Sequence, residues 1–78
     1  MSKEQQLIEA LAVRLVEVRK GCGWARKDVA DRLNVSATTV QTHEEATSNK
    51  GPTFLYLVNF CAIAKMPFSE FVAGLRLE

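Results

Sequence analysis

The sequence predicts an all-α domain, a compact bundle of four or five helices. Three observations carry that expectation. Apolar residues recur at helical spacing along the chain, and breakers and capping residues fall between the periodic runs. No run of alternating polar and apolar residues compels a strand. A length of 78 residues allows one domain, residues 1–78. A domain of this size buries only about 60% of its unfolded surface and cannot hold a deep catalytic cleft and a second binding domain as well.

Residues 2–20 contain neither glycine nor proline and are rich in Glu, Gln, Leu, Ala and Arg, all good helix formers. Leu7, Leu11, Leu15 and Val18 recur at i, i+4, i+8 and i+11, and Ile8 and Ala12 widen the stripe. That first helix stops at Gly21-Cys22-Gly23, where glycine can take the left-handed conformation that ends helices. A second helix is expected over residues 24–33, with apolar side chains at 25, 29, 30 and 33. Asn34-Val35-Ser36 reads as a turn in which Asn tolerates positive φ and Ser36 caps a third helix over residues 37–45, anchored by Val40. A polar loop with two breakers, residues 47–52, precedes a fourth helix capped by Thr53 and running to about residue 65. Pro67 opens a short fifth helix over about residues 67–76, with Phe68, Phe71, Val72 and Leu75 at i, i+3, i+4 and i+7.

Composition narrows the functional classes. The longest apolar stretch, residues 54–64, is interrupted by Asn59 and falls short of the roughly 20 residues that span a bilayer. The mixed-charge N-terminus has no signal-peptide core behind it, and Cys22 and Cys61 form no metal-ligand or CxxC spacing. A cytoplasmic protein with two inert thiols is expected. No Ser/His/Asp set, carboxylate pair, phosphate-cradling glycine loop or metal cluster is present, so no enzyme, cofactor or metal is expected. His43 stands alone beside two glutamates and reads as a packing or capping residue. Trp24 reads as core. The net charge is +1, and seven Lys/Arg against five Asp/Glu place the basic excess in residues 1–33.

Two short helices joined by a tight turn need a small residue in the first, a turn residue that tolerates positive φ, and an apolar anchor in the second. Ala30, Asn34 and Val40 supply these, with Val29, Leu33 and Val35 completing the junction of a unit over about residues 25–45. In these residues the sequence resembles the lambdoid phage repressor and Cro class of helix-turn-helix domains, the XRE type. The resemblance extends to Leu11, Leu15, Val18 and Arg19 before the unit, and to Gly23-Trp24-Ala25-Arg26-Lys27-Asp28-Val29-Ala30 and Leu33-Asn34-Val35-Ser36-Ala37-Thr38-Thr39-Val40-Gln41-Thr42-His43-Glu44 within it. Pro52-Thr53-Phe54, Leu57, Cys61 and Met66-Pro67 continue it. The chain departs from the family pattern in three places. Arg26 replaces a glutamine, Asn34 replaces the turn glycine, and Glu45-Ala46 replaces a basic-glycine pair.

The resemblance implies a sequence-specific DNA-binding transcriptional regulator, of a small phage-type repressor or Cro-like kind. The third helix would enter the major groove of double-stranded DNA and present Ala37, Thr38, Gln41 and Thr42 to base edges. Phosphate contacts would come from Arg26, Lys27, Ser36, Thr39, Asn49 and Lys50. Arg19 and Glu44 match a structural ion pair of the family. One domain reads few base pairs, so a homodimer on a two-fold operator is expected, its surface drawn from Phe68, Phe71, Val72 and Leu75. The alternative is a protein-binding adaptor of antitoxin or antirepressor type on the same fold, with a partner on the C-terminal aromatic face. The lack of Lys or Arg on the third helix and the Glu44-Glu45 pair favour that alternative.

Overall fold

The computed structural model describes residues 2–46 and 50–77. Five helices follow in chain order: α1 (Lys3–Gly21), α2 (Arg26–Leu33), α3 (Ala37–Glu45), α4 (Phe54–Ala64) and α5 (Phe68–Ala73). No strand occurs among the described residues, and none of their helices is long and apolar enough to cross a membrane.

Local chemistry sets each helix end. The Ser2 hydroxyl accepts from the Gln5 N–H at 3.1 Å and opens α1. Gly23, at φ +75°, closes it: its N–H donates to Lys20 O, and the Trp24 N–H reaches back to Arg19 O. That paired arrangement satisfies two carbonyls a helix end leaves over, and it requires the left-handed backbone that glycine adopts without penalty. Trp24 therefore belongs to the α1–α2 turn, and α2 starts two residues later than the sequence suggests. Asn34 takes φ +58° at the end of α2, and the Val35 N–H bonds Ala30 O at 3.0 Å. Ser36 caps α3 by accepting from the Thr39 N–H, and Thr53 caps α4 by accepting from the Tyr56 N–H.

α5 is shorter than its apolar period implies and ends at Gly74, so Leu75 lies beyond it. The Arg14 guanidinium, arriving from α1, occupies the space a Cβ at Gly74 would need. It donates to the carbonyls of Phe71 at 2.9 Å and Glu70 at 3.1 Å and lies 5.7 Å from the Phe71 ring centroid. A side chain from the opposite end of the chain thus serves the last carbonyls of α5.

One core joins the helices. Leu15 and Val18 of α1, Val29 and Ala30 of α2, Val40 of α3, Leu57, Phe60 and Cys61 of α4 and Phe71 of α5 form a single buried cluster. Leu11, Leu33, Val35 and Trp24 pack at its margin. α3 lies between α1 and α2, and α4 packs on α2 and α5. Ala30 is buried in this cluster. Leu7 is exposed, because the buried stripe of α1 begins only at Ala10.

Candidate nucleic-acid interface

α3 is held from three sides. Val40 is fully buried beneath it, the Asn34 turn sets its entry, and its C-terminal end is tied by charge. Arg19 donates to Glu44 through Nε at 2.7 Å and Nη2 at 3.0 Å, and its Nη1 donates to the Trp24 carbonyl at 2.9 Å. Bidentate pairing of this kind fixes orientation as well as distance. Arg26 joins the same carboxylate, its Nε donating to Glu44 Oε1 at 2.9 Å, while its Nη1 lies 3.6 Å from Glu45. The Glu44 side chain is only 2% exposed and that of Arg19 11%. Two guanidinium groups therefore face the two carboxylates that end α3. The acidity of that end is compensated within the fold.

The residues expected to read bases share one surface. Ala37, Thr38 and Gln41 are exposed on α3, with spacing that keeps them on one side of the helix. Thr42 is half-buried, and its hydroxyl donates to Thr38 O at 2.9 Å. That leaves Thr42 its methyl and its acceptor lone pairs to offer. The Gln41 amide Nε2 lies 3.2 and 3.3 Å from the two carboxylate oxygens of Glu45.

The residues expected at phosphates divide. Lys27 and Lys50 are exposed. Arg26 pairs with Glu44 and Glu45, and its side chain is 38% exposed. Ser36 and Thr39 bond each other at 2.9 Å as part of the α3 cap. Asn49 lies outside the described residues.

The expected dimer surface also divides, and Phe71 must be withdrawn from it. Its ring is fully buried, edge-on to Phe60 at 6.2 Å and alongside Phe68 at 6.4 Å. Val72 is 42% exposed, while Phe68 and Leu75 are half-buried. The aromatic surface has a member that periodicity did not single out. Phe54, 70% exposed at the start of α4, meets Phe68 edge-on at 5.4 Å, and Leu55 beside it is 67% exposed.

His43, in the last turn of α3, has its ring 4.4 Å from that of Tyr56, and its Nδ1 is buried without a hydrogen-bond partner. Burial holds its pKa below the ordinary 6.5. Burial, and then the charge of Glu44, push the Tyr56 phenol up to about 12. Burial also raises the Cys61 thiol from 9.0, with Arg14 pulling the other way.

These shifts predict how stability varies with pH. The folded state disfavours charged His43, so stability from this group is full above pH 6.5 and is lost as pH falls through the lowered native value. Cys61 and Tyr56 hold their protons longer in the fold. Their contribution is full below 9.0 and 10.0 respectively, and it falls as pH rises, for Tyr56 until about 12. Urea midpoints measured against pH should therefore decline on both flanks. Tyr56→Phe should remove the part of the alkaline decline above pH 10.

No family model matches the chain, and no curated protein matches it.

Proposed function

We propose that the protein is a sequence-specific DNA-binding regulator of the lambdoid repressor and Cro kind, acting in the cytoplasm. α3 enters the major groove, and Ala37, Thr38 and Gln41 meet base edges, with Thr42 contributing its methyl group. The observation that carries this reading is the α3 surface itself. Ala37, Thr38 and Gln41 are exposed and uncharged there, on a helix that core, turn and buried ion pair hold in one position. A reading helix needs that rigidity, because base contacts succeed only at defined geometry.

Two arginines offset the two glutamates at the end of α3, which removes the main electrostatic objection to approaching phosphates. Lys27 and Lys50 supply the charge, and the first backbone N–H groups of α2, free of intrahelical partners, supply phosphate donors. Binding is as a homodimer on a two-fold site, through Phe68 and Val72 at α5. The α3 face carries no Arg or Lys for a bidentate guanine contact, so A·T pairs dominate the positions it reads.

A second reading is supported by the exposed pair Phe54 and Leu55, with Phe68 beneath Phe54. On that reading the fold is an adaptor that docks a protein partner on this aromatic surface.

Selection of duplexes from a randomised pool separates the two. A regulator enriches one A·T-containing motif with two-fold symmetry, and Val72→Asp abolishes the symmetry while single half-sites persist. An adaptor enriches nothing.

A further inference from the structure

Glu45 lies one turn beyond Gln41, and its carboxylate faces the Gln41 amide at 3.2 and 3.3 Å. An ionised carboxylate only accepts hydrogen bonds, so the amide must turn its Nε2 toward Glu45 and its Oε1 away. Glu45 is itself placed by Arg26, which is anchored to Glu44, which is held by Arg19. A continuous chain of charged contacts therefore runs from the buried side of α1 to the exposed surface of α3.

We propose that Glu45 is a positioning residue for base recognition: it holds the Gln41 amide in a single flip. This deepens the DNA-reading role proposed above and rests on it. With one Nε2 hydrogen given to Glu45, Gln41 offers one acceptor and one remaining donor. Adenine matches that pair, with N6–H₂ donating to Oε1 and N7 accepting from Nε2. Guanine does not, since it presents acceptors at both O6 and N7. The acidic residue that departs from the family pattern at the end of α3 thus selects adenine over guanine at one base pair.

The test uses the full chain and a selected duplex, varied through all four base pairs at the position whose preference Gln41→Ala abolishes. The wild type should prefer A·T there by about 5- to 150-fold, the range of a good bidentate contact. Glu45→Ala and Glu45→Gln should reduce that preference by about twofold or more, since each admits the flipped amide. Both also remove a negative charge and should tighten binding to every duplex alike. The side chain is 40% exposed and Ala favours helix, so circular dichroism should show both variants folded. A uniform gain in affinity with the base preference intact would overturn the positioning role and leave Gln41 as an independent reader. If the wild type shows no preference that depends on Gln41, the DNA-reading role itself fails, and the role of Glu45 falls with it.

Discussion

Replacing Glu44 with Ala is expected to destabilise the fold by about 3–5 kcal/mol, the cost of leaving a buried charge without its partner. Arg19 would remain enclosed, with a side chain only 11% exposed, and would keep one hydrogen bond, to the Trp24 carbonyl. Small domains have few kilocalories in reserve, since cores of this size supply only about 3–5 kcal/mol. Glu44→Ala should therefore be largely unfolded at room temperature. Arg26 meets the same carboxylate but is 38% exposed, so Arg26→Ala should cost no more than about 1 kcal/mol. Joint replacement of Arg19 by Met and Glu44 by Leu should recover much of the loss, because apolar groups remove the desolvation penalty together with the attraction. Urea denaturation of the three variants tests this ordering. Equal, small effects for Glu44→Ala and Arg26→Ala would mean that the buried pair does not hold α1 to α3.

Phe71→Ala is expected to cost about 3–5 kcal/mol, as large-to-small changes at fully buried aromatics do. Its ring is enclosed by Phe60 and Phe68 and capped by the Arg14 guanidinium. Truncation would open a cavity and remove the surface on which Arg14 rests. Phe54→Ala provides the contrast. That ring is 70% exposed, and its loss should change stability by no more than about 0.5 kcal/mol. Thermal melts of the pair decide the matter. Similar midpoints would contradict the burial of Phe71 and would restore it as a surface residue. Polar substitutions meant to break a dimer belong at Val72, where they leave the core intact.

Much of the fold was legible because its boundaries are written in local chemistry. Gly23, Asn34, Ser36, Thr53 and Pro67 each act within a few residues of themselves, through a hydroxyl cap, a left-handed turn or a fixed φ. The family resemblance, not spacing, nominated Ala37, Thr38, Gln41 and Thr42, of which the first three are exposed and Thr42 is half-buried. What was not legible depends on distant partners. Periodicity put Phe68, Phe71, Val72 and Leu75 on one side of a helix, but it is silent on which of them α4 covers. Phe60 covers Phe71, and Gly74 with Arg14 ends the helix before Leu75. The positive charge of Arg26 at a helix start suits a phosphate in one dimension. In three dimensions it meets Glu44, 18 residues away, because the α2–α3 turn brings both to one place. The sequence marked the Glu44-Glu45 pair as unfavourable for DNA because the two compensating arginines lie in α1 and α2.

The central claim is that the exposed surface of α3 reads DNA sequence. It is tested most directly by fluorescence anisotropy on a pool-selected duplex and its scrambled counterpart, at about 50 and 200 mM salt. The predicted result is a preference for the selected duplex of about 1,000-fold or more, with both affinities falling as salt rises. Gln41→Ala should weaken the selected duplex by about 5- to 150-fold and leave the scrambled one unchanged. Weak binding, equal on both duplexes at low salt and unaffected by Gln41→Ala, would contradict the claim and turn attention to a protein partner on Phe54 and Leu55.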